Sequence, residues 1–228
     1  MSYYAEQYNK DIPLSNKATM SMNIKRYLVD RINKNQDIVR YCRYLTKTPL
    51  LEMGINYSNE VVEQPDLDCG LLESLSEHRD KDGNYTEYTG VETRGKILIP
   101  YACDDRLMVK EQLFIFVSNS YASFSNVYNT GEYVFDIVIT YSPTYNVLDP
   151  YGEERSYMII DKICKMFDDM YPENSQYSEE IGDIKFNIRA IDERKISSNG
   201  TMAKAVKIIA KPITNRELIN KGRYTHHA

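Results

Sequence analysis

Apolar residues recur at helical spacing early in the chain and at a spacing of two through much of its second half, which separates helix from strand territory. "SMNIKRYLVDRIN" offers Ser21 as an N-cap and sets Ile24, Tyr27, Leu28 and Ile32 on one face, predicting a first helix. "QDIVRYCRYLTKTPL" repeats the form with Ile38, Val39, Cys42 and Leu45, and Pro49 marks its end. Ahead of them, residues 1–20 are polar, hold Pro13 and carry tyrosines without period. They read as an extended arm that orders on a partner.

From Leu51 to Gly95 the period decays into an acidic, turn-rich stretch, with one helical turn or two expected around Leu71 to Leu75 and breakers at Gly83, Asn84 and Gly90. A connection this long inside one domain is functional or mobile as a rule. Strands follow. "GKILIP" and "QLFIFVS" are apolar runs of strand length, and "YVFDIVITYS" puts Tyr133, Phe135, Ile137, Ile139 and Tyr141 on one side. In "DPYGEERSYMIIDKICKMFDDMY", Ile160, Ile163, Cys164, Phe167 and Tyr171 form the stripe of a helix that buries against a sheet. "IGDIKFNIRAI" places Ile184, Phe186 and Ile188 opposite Asp183, Lys185, Asn187 and Arg189; "SSNG" signals a turn. "TMAKAVKIIAKPI" closes the set with Val206, Ile208 and Ala210 in period two, stopped by Pro212.

The pattern predicts an α+β fold: N-terminal helices and a mostly antiparallel sheet crossed by one long helix, with a long acidic loop insertion. The expected organisation is an arm at 1–20, a single domain at 21–212 containing the 51–95 insertion, and a tail at 213–228. One sheet and a small barrel both remain open, because alternation gives faces but not partners.

Composition narrows the function classes. The 33 acidic and 28 basic residues leave a net charge of -5, which removes the basis for tight nonspecific binding to a phosphate backbone. No apolar run approaches the roughly 20 residues of a spanning helix, and the N-terminus lacks the sections of a signal peptide, so synthesis and retention in cytoplasm are expected. Cys42, Cys69, Cys103 and Cys164 stand far apart and read as reduced thiols, not a zinc or redox pair. Tyrosine stands out, with 20 Tyr against 6 Phe and no Trp. That count fits surfaces covered in one state and wet in another, and equally the codon bias of an AT-rich genome.

Candidate chemistry is sparse. Glu153 and Glu154 stand where a helix begins and favour its dipole; Asp161, Asp168 and Asp169 fall off the apolar stripe, and Asp149 sits in the preceding turn. A carboxylate pair with split pKa values needs two acids converging on one cleft, and none is placed so. His78 adjoins Glu77 and Asp80 in the acidic loop, while His226 and His227 lie in a terminal tail. No phosphate-loop, dinucleotide, nucleophile-elbow or zincin motif occurs. Arg194, Lys195, Lys204 and Lys207 gather near the last turn as an exposed basic rim. The expectation is a non-enzyme without catalytic, cofactor or metal residues.

Helices, a long loop, a strand pair, "YVFDIVITYSPTYNVLDPYGEERSYMIIDKICKMF" and a closing strand hairpin together resemble the small ring-forming proteins of tailed-phage necks and tails. In those head-completion, tail-completion and tail-terminator proteins a strand leads through a loop containing an Arg into a helix that crosses the sheet. Arg155 and the helix after it match that layout, and "NKNQDIVRYCRYLTKTPL" is similar to the N-terminal helix of neck proteins from low-GC phages. The likeness spans roughly Ser21 to Pro212 and is one of pattern; the acidic stretch from Glu60 to Gly95 departs from it. It implies a homo-oligomeric ring, six- or twelve-fold, in the virion between portal and tail, beside neighbouring neck, portal and tail proteins. DNA would pass through its acidic lumen without sequence-specific binding, and no membrane is involved. The alternatives are a non-catalytic adaptor of a bacterial complex whose acidic loop captures a basic partner, and a metal-dependent hydrolase using dispersed acids such as Asp66, Asp68, Glu73 and Asp80.

Overall fold

A computed structural model describes residues 14–51, 54–55, 61–62, 67, 70–72, 96–103, 112–125, 130–171, 181, 184–195 and 201–212. Its elements run α1 (Leu14–Lys34), α2 (Gln36–Arg43), β1 (Gly54–Ile55), β2 (Val61–Val62), β3 (Leu98–Ile99), β4 (Phe114–Ser125), β5 (Thr130–Tyr141), α3 (Arg155–Phe167), β6 (Ile184–Lys195) and β7 (Met202–Pro212). This is an α+β fold. β1 and β2 form a two-stranded antiparallel pair; the other strands make one sheet in the order β3-β4-β5-β7-β6. Among the described strands only β3 and β4 pair in parallel.

The last strand β7 enters between β5 and β6 and pairs antiparallel with both, so β5 and β6 run parallel with a strand between them. The chain connecting them carries α3 across one face, the way a crossover between parallel strands must travel. Alternation decides which residues meet it. Tyr133, Phe135, Ile137, Ile139 and Tyr141 of β5, Ile184 and Phe186 of β6, and Val206, Ile208 and Ala210 of β7 are all buried in the main core. The three helices bring Ile24, Tyr27, Leu28 and Ile32, then Ile38, Val39 and Cys42, then Ile159, Ile160, Ile163 and Phe167 onto that face. Tyr27 stacks on Phe186 at 5.6 Å between ring centroids, and Phe167 sits 5.9 Å from Phe186, which joins α1, α3 and β6 through one aromatic group.

On the opposite face Leu72, Ile99, Phe114 and Phe116 cluster near β3, and Val134 of β5 with Ala205 and Ile209 of β7 are buried as well. Across β5 and β7 it carries cross-strand ion pairs, Lys207 with Asp136 at 2.6 Å and Lys211 with Glu132 at 3.4 Å.

Several boundaries differ from the sequence pattern. Helix α1 begins at Leu14, so part of the expected arm is helical and Ser21 is not an N-cap. The Ser21 hydroxyl instead accepts from the Asn119 amide on β4 at 2.7 Å. α2 is capped by Asn35, whose side chain accepts from the Ile38 N–H at 3.1 Å, and ends at Arg43, six residues before Pro49. Leu71 and Leu72 do not begin a helix: Leu71 bridges Leu98 in parallel and the Leu72 N–H donates to Leu98 O at 2.9 Å, prolonging the sheet edge. α3 stops at Phe167, leaving Tyr171 beyond it. Positions 1–13, 73–75 and 213–228 lie outside the described residues.

Candidate functional site

The segment joining β5 to α3 holds a dense polar network, and Arg155 is its centre. A helix as short as α2 leaves its last carbonyls without intrahelical partners. The Arg155 guanidinium supplies them from elsewhere in the sequence. Nη1 donates to Tyr41 O at 2.6 Å and Tyr44 O at 2.7 Å, Nε donates to Tyr145 O at 2.7 Å, and Nη2 donates to Thr46 O. Four of its five N–H groups thus meet carbonyls. The side chain is fully buried. Burial lowers its pKa, with Cys42 and Tyr41 opposing, but a guanidinium starts so high that it stays charged.

Asn146 completes the start of α3. Glu154, the residue at the N-cap position, makes no capping bond with its side chain. Asn146 takes over from eight residues upstream: its Oδ1 accepts from the Ser156 N–H at 2.9 Å, and its carbonyl accepts from the Arg155 N–H. Glu154 turns its carboxylate to Lys204 of β7, which is buried although its Nζ forms an ion pair with that half-exposed acid. The Lys204 ammonium lies 3.6 Å from the centroid of the Tyr157 ring and 5.8 Å from that of Tyr141, so two aromatic faces share its charge. Hydrogen bonding to Lys204 and its charge hold Glu154 below the usual carboxylate range, helped by Asn146 and opposed by burial.

Above this network the backbone folds into a tight loop. The Leu148 N–H donates to Glu153 O at 2.8 Å, the Gly152 N–H donates to Leu148 O at 3.0 Å, and Val147 bridges Glu154. Gly152 occupies φ +71°, the left-handed region that favours glycine. A second segment is tied alongside, because the Asp149 N–H donates to Lys47 O at 3.0 Å and Arg155 holds Thr46. Together the two segments form a platform carrying exposed Leu50, Leu51, Val147 and Tyr151, with Tyr151 at 87% exposure on the tip. Tyr157, half exposed, adjoins it on the first turn of α3. These are five of the eight large apolar residues exposed among the described residues. Exposed apolar side chains are thus concentrated on a backbone fixed by hydrogen bonds.

The acids of this region divide as their positions suggest. Asp161 pairs with Lys165 one turn along α3, Asp169 with Lys185 of β6, and Asp149 with Lys47 at 3.6 Å; each is solvent-facing. The Asp168 carboxylate accepts from the Ile188 N–H at 3.0 Å. No two carboxylates converge on a cleft among these. The expected basic rim is not one: Lys204 is in the core and Lys207 is paired with Asp136, while the side chains of Arg194 and Lys195 lie outside the described residues. Extending the Val206, Ile208, Ala210 register back by two puts Lys204 on the helix-facing side, a signal legible in the sequence. Asn146 and the tip role of Tyr151 had no such signal.

Cys42 is buried, Cys103 and Cys164 are partly so, and none of the three is in a disulfide; burial pushes the Cys164 pKa up. Cys69, Asp66, Asp68, Glu73, Glu77, His78, Asp80, His226 and His227 lie outside the described residues. Among the described residues no three His, Cys, Asp or Glu side chains gather in a way that could hold a metal, and no helix is long and apolar enough to cross a membrane. The chain matches no model of a known protein family, and no curated protein matches it.

Proposed function

We propose that this chain is a structural subunit that assembles as a closed homo-oligomeric ring of six or twelve copies in the neck or tail of a tailed phage. It is made in the host cytoplasm, joins neighbouring portal, neck or tail proteins in the virion, and gives passage to DNA without gripping it. The observation that carries this reading is the platform at the β5–α3 connection, where a buried Arg155 locks two segments into one surface that exposes Leu50, Leu51, Val147 and Tyr151. A surface so built suits repeated contact between subunits, whose core residues are apolar and aromatic. A loop that leads from a strand to Arg155, the first residue of the helix across the sheet, supports the phage assignment, and the net charge of -5 suits a lumen that DNA slides through.

Native mass spectrometry over a concentration series, with negative-stain images of the same samples, tests the reading. Closed six- or twelve-subunit rings are expected. A chain that stays monomeric at every concentration instead points to the adaptor, which has the same platform but receives a different protein on it.

A further inference from the structure

A ring whose subunits are all alike needs two different surfaces on each copy, one fitting the other on the next copy. The platform supplies one. Its tip residue, Tyr151, stands between Asp149 and Glu153, all three exposed, so an aromatic knob is flanked by two carboxylates, of which Asp149 already lies 3.6 Å from the exposed Lys47 ammonium. The tight loop and the arginine network beneath it hold the backbone that carries the knob in place before any partner arrives, which lowers the ordering cost of binding.

The second surface lies where α1 meets the β3 edge. A cavity of about 360 Å³ opens there, walled by Met22, Val29, Leu71 and Tyr101 and flanked by Lys25 and Arg26. Its size lies at the lower end of pockets that bury a ring-sized group. Met22 is 53% exposed, a further apolar side chain presented at the mouth. Lys25 lies with its ammonium 5.8 Å from the Tyr101 ring centroid and is partly desolvated, so an incoming carboxylate would meet a cation that water screens incompletely. The two surfaces occupy different parts of the fold: one caps the segment between β5 and α3, and the other borders the edge strand β3.

We infer that Tyr151 of one copy inserts into the Met22, Val29, Leu71 and Tyr101 cavity of the next, with Asp149 and Glu153 meeting Lys25 and Arg26. This inference rests on the ring reading and names the contact that closes the ring. The occupant is a second copy of this chain because knob and cavity match in both respects, an aromatic group against an apolar concavity and the acids beside Tyr151, Glu153 together with Asp149 shared with Lys47, against Lys25 and Arg26. Both halves sit on every chain at separate places, so the contact propagates head to tail instead of closing as a symmetric pair.

The test uses the full-length chain and three variants, followed by native mass spectrometry and sedimentation. Asp149→Lys with Glu153→Lys reverses the knob, and Lys25→Glu with Arg26→Glu reverses the cavity rim. Neither variant should form rings alone, since each brings like charges together. Their equimolar mixture should restore rings, because a reversed knob fits a reversed rim and the two unmodified surfaces fit each other. The mixed rings must alternate, so only even copy numbers close. Tyr151→Ser, which removes a side chain with little role in the fold, should weaken self-association at least about tenfold. If the wild-type chain forms rings and any of the three variants forms them equally well alone, or if the mixture fails to restore them, the contact is wrong and the ring stands on other surfaces. A wild-type chain that never assembles overturns the ring and the contact together.

Discussion

Arg155 illustrates how one side chain can fix the geometry of three elements. Its fork spans carbonyls of α2, of the segment after α2 and of the segment before α3, a task that needs several N–H groups fixed in one plane. Lysine carries its N–H groups on a single nitrogen and cannot reach all four oxygens. Arg155→Lys and Arg155→Met are both expected to cost about 3 kcal/mol, since each strands buried carbonyls. Urea unfolding midpoints measure this, and an unchanged midpoint for the lysine variant would show that the fork is not what holds the segments. Lys204 has a related role. Because Glu154 titrates lower in the folded chain than in the unfolded one, its pairing stabilises fully above the unfolded value of about 4.3 and is lost as pH falls through the folded value. Glu154→Gln should therefore flatten the acid limb of a stability-versus-pH curve. Lys162 behaves oppositely: its hydrogen bond to Asp37 raises its pKa, so that pairing persists below the unfolded lysine value and is lost as pH rises through the folded one.

Among the elements, the loop from Leu148 to Glu153 and helix α3 make contrasting demands on sequence. Gly152 sits at positive φ with nothing within 4 Å of where a Cβ would stand, so replacing it strains the backbone without a clash. Gly152→Ala is expected to cost on the order of 1 kcal/mol or more, read as a lower thermal midpoint, whereas Tyr151→Ser next to it should change stability by less than about 0.5 kcal/mol. A loss of stability in the tyrosine variant would mean that the knob serves the fold and not a partner. Helix α3 is the reverse case, determined by packing. Phe167 is fully buried against Tyr27 and Phe186, and Phe167→Ala should cost about 3 to 5 kcal/mol in chemical denaturation.

At the level of the whole molecule, the proposed contact, which sets acids against Lys25 and Arg26 around an aromatic anchor, has a recognisable salt response. Raising ionic strength screens the exposed charges but leaves the anchor, so ring dissociation should be promoted by salt and incomplete for the wild type. Titrating sodium chloride against sedimentation of the assembled chain measures it. Assembly indifferent to salt would remove the charged rim from the contact.

Period alone determined which strand residues face the helices. Tyr133 to Tyr141, Ile184, Phe186 and Val206 to Ala210 are buried as their alternation requires, since a pleated strand puts every second side chain on one side. The apolar faces of the three helices were legible in the same way, except that buried Ile159 of α3 stood off the expected stripe while Leu45 and Tyr171 fall beyond their helices. The insertion of β7 between β5 and β6 was not, because strand order is set by pairing between residues far apart in sequence. The start of α1 was hidden by the polar composition of residues 14–20, which gives no periodic signal. Arg155 stood out by position, but its partners did not: four backbone carbonyls carry no side-chain signature. Tyr151 was one tyrosine among 20 until the loop beneath it closed and left it on the tip. A sequence encodes periodicity and local caps directly, whereas a surface made by two segments tied across a buried guanidinium exists only after the chain has folded.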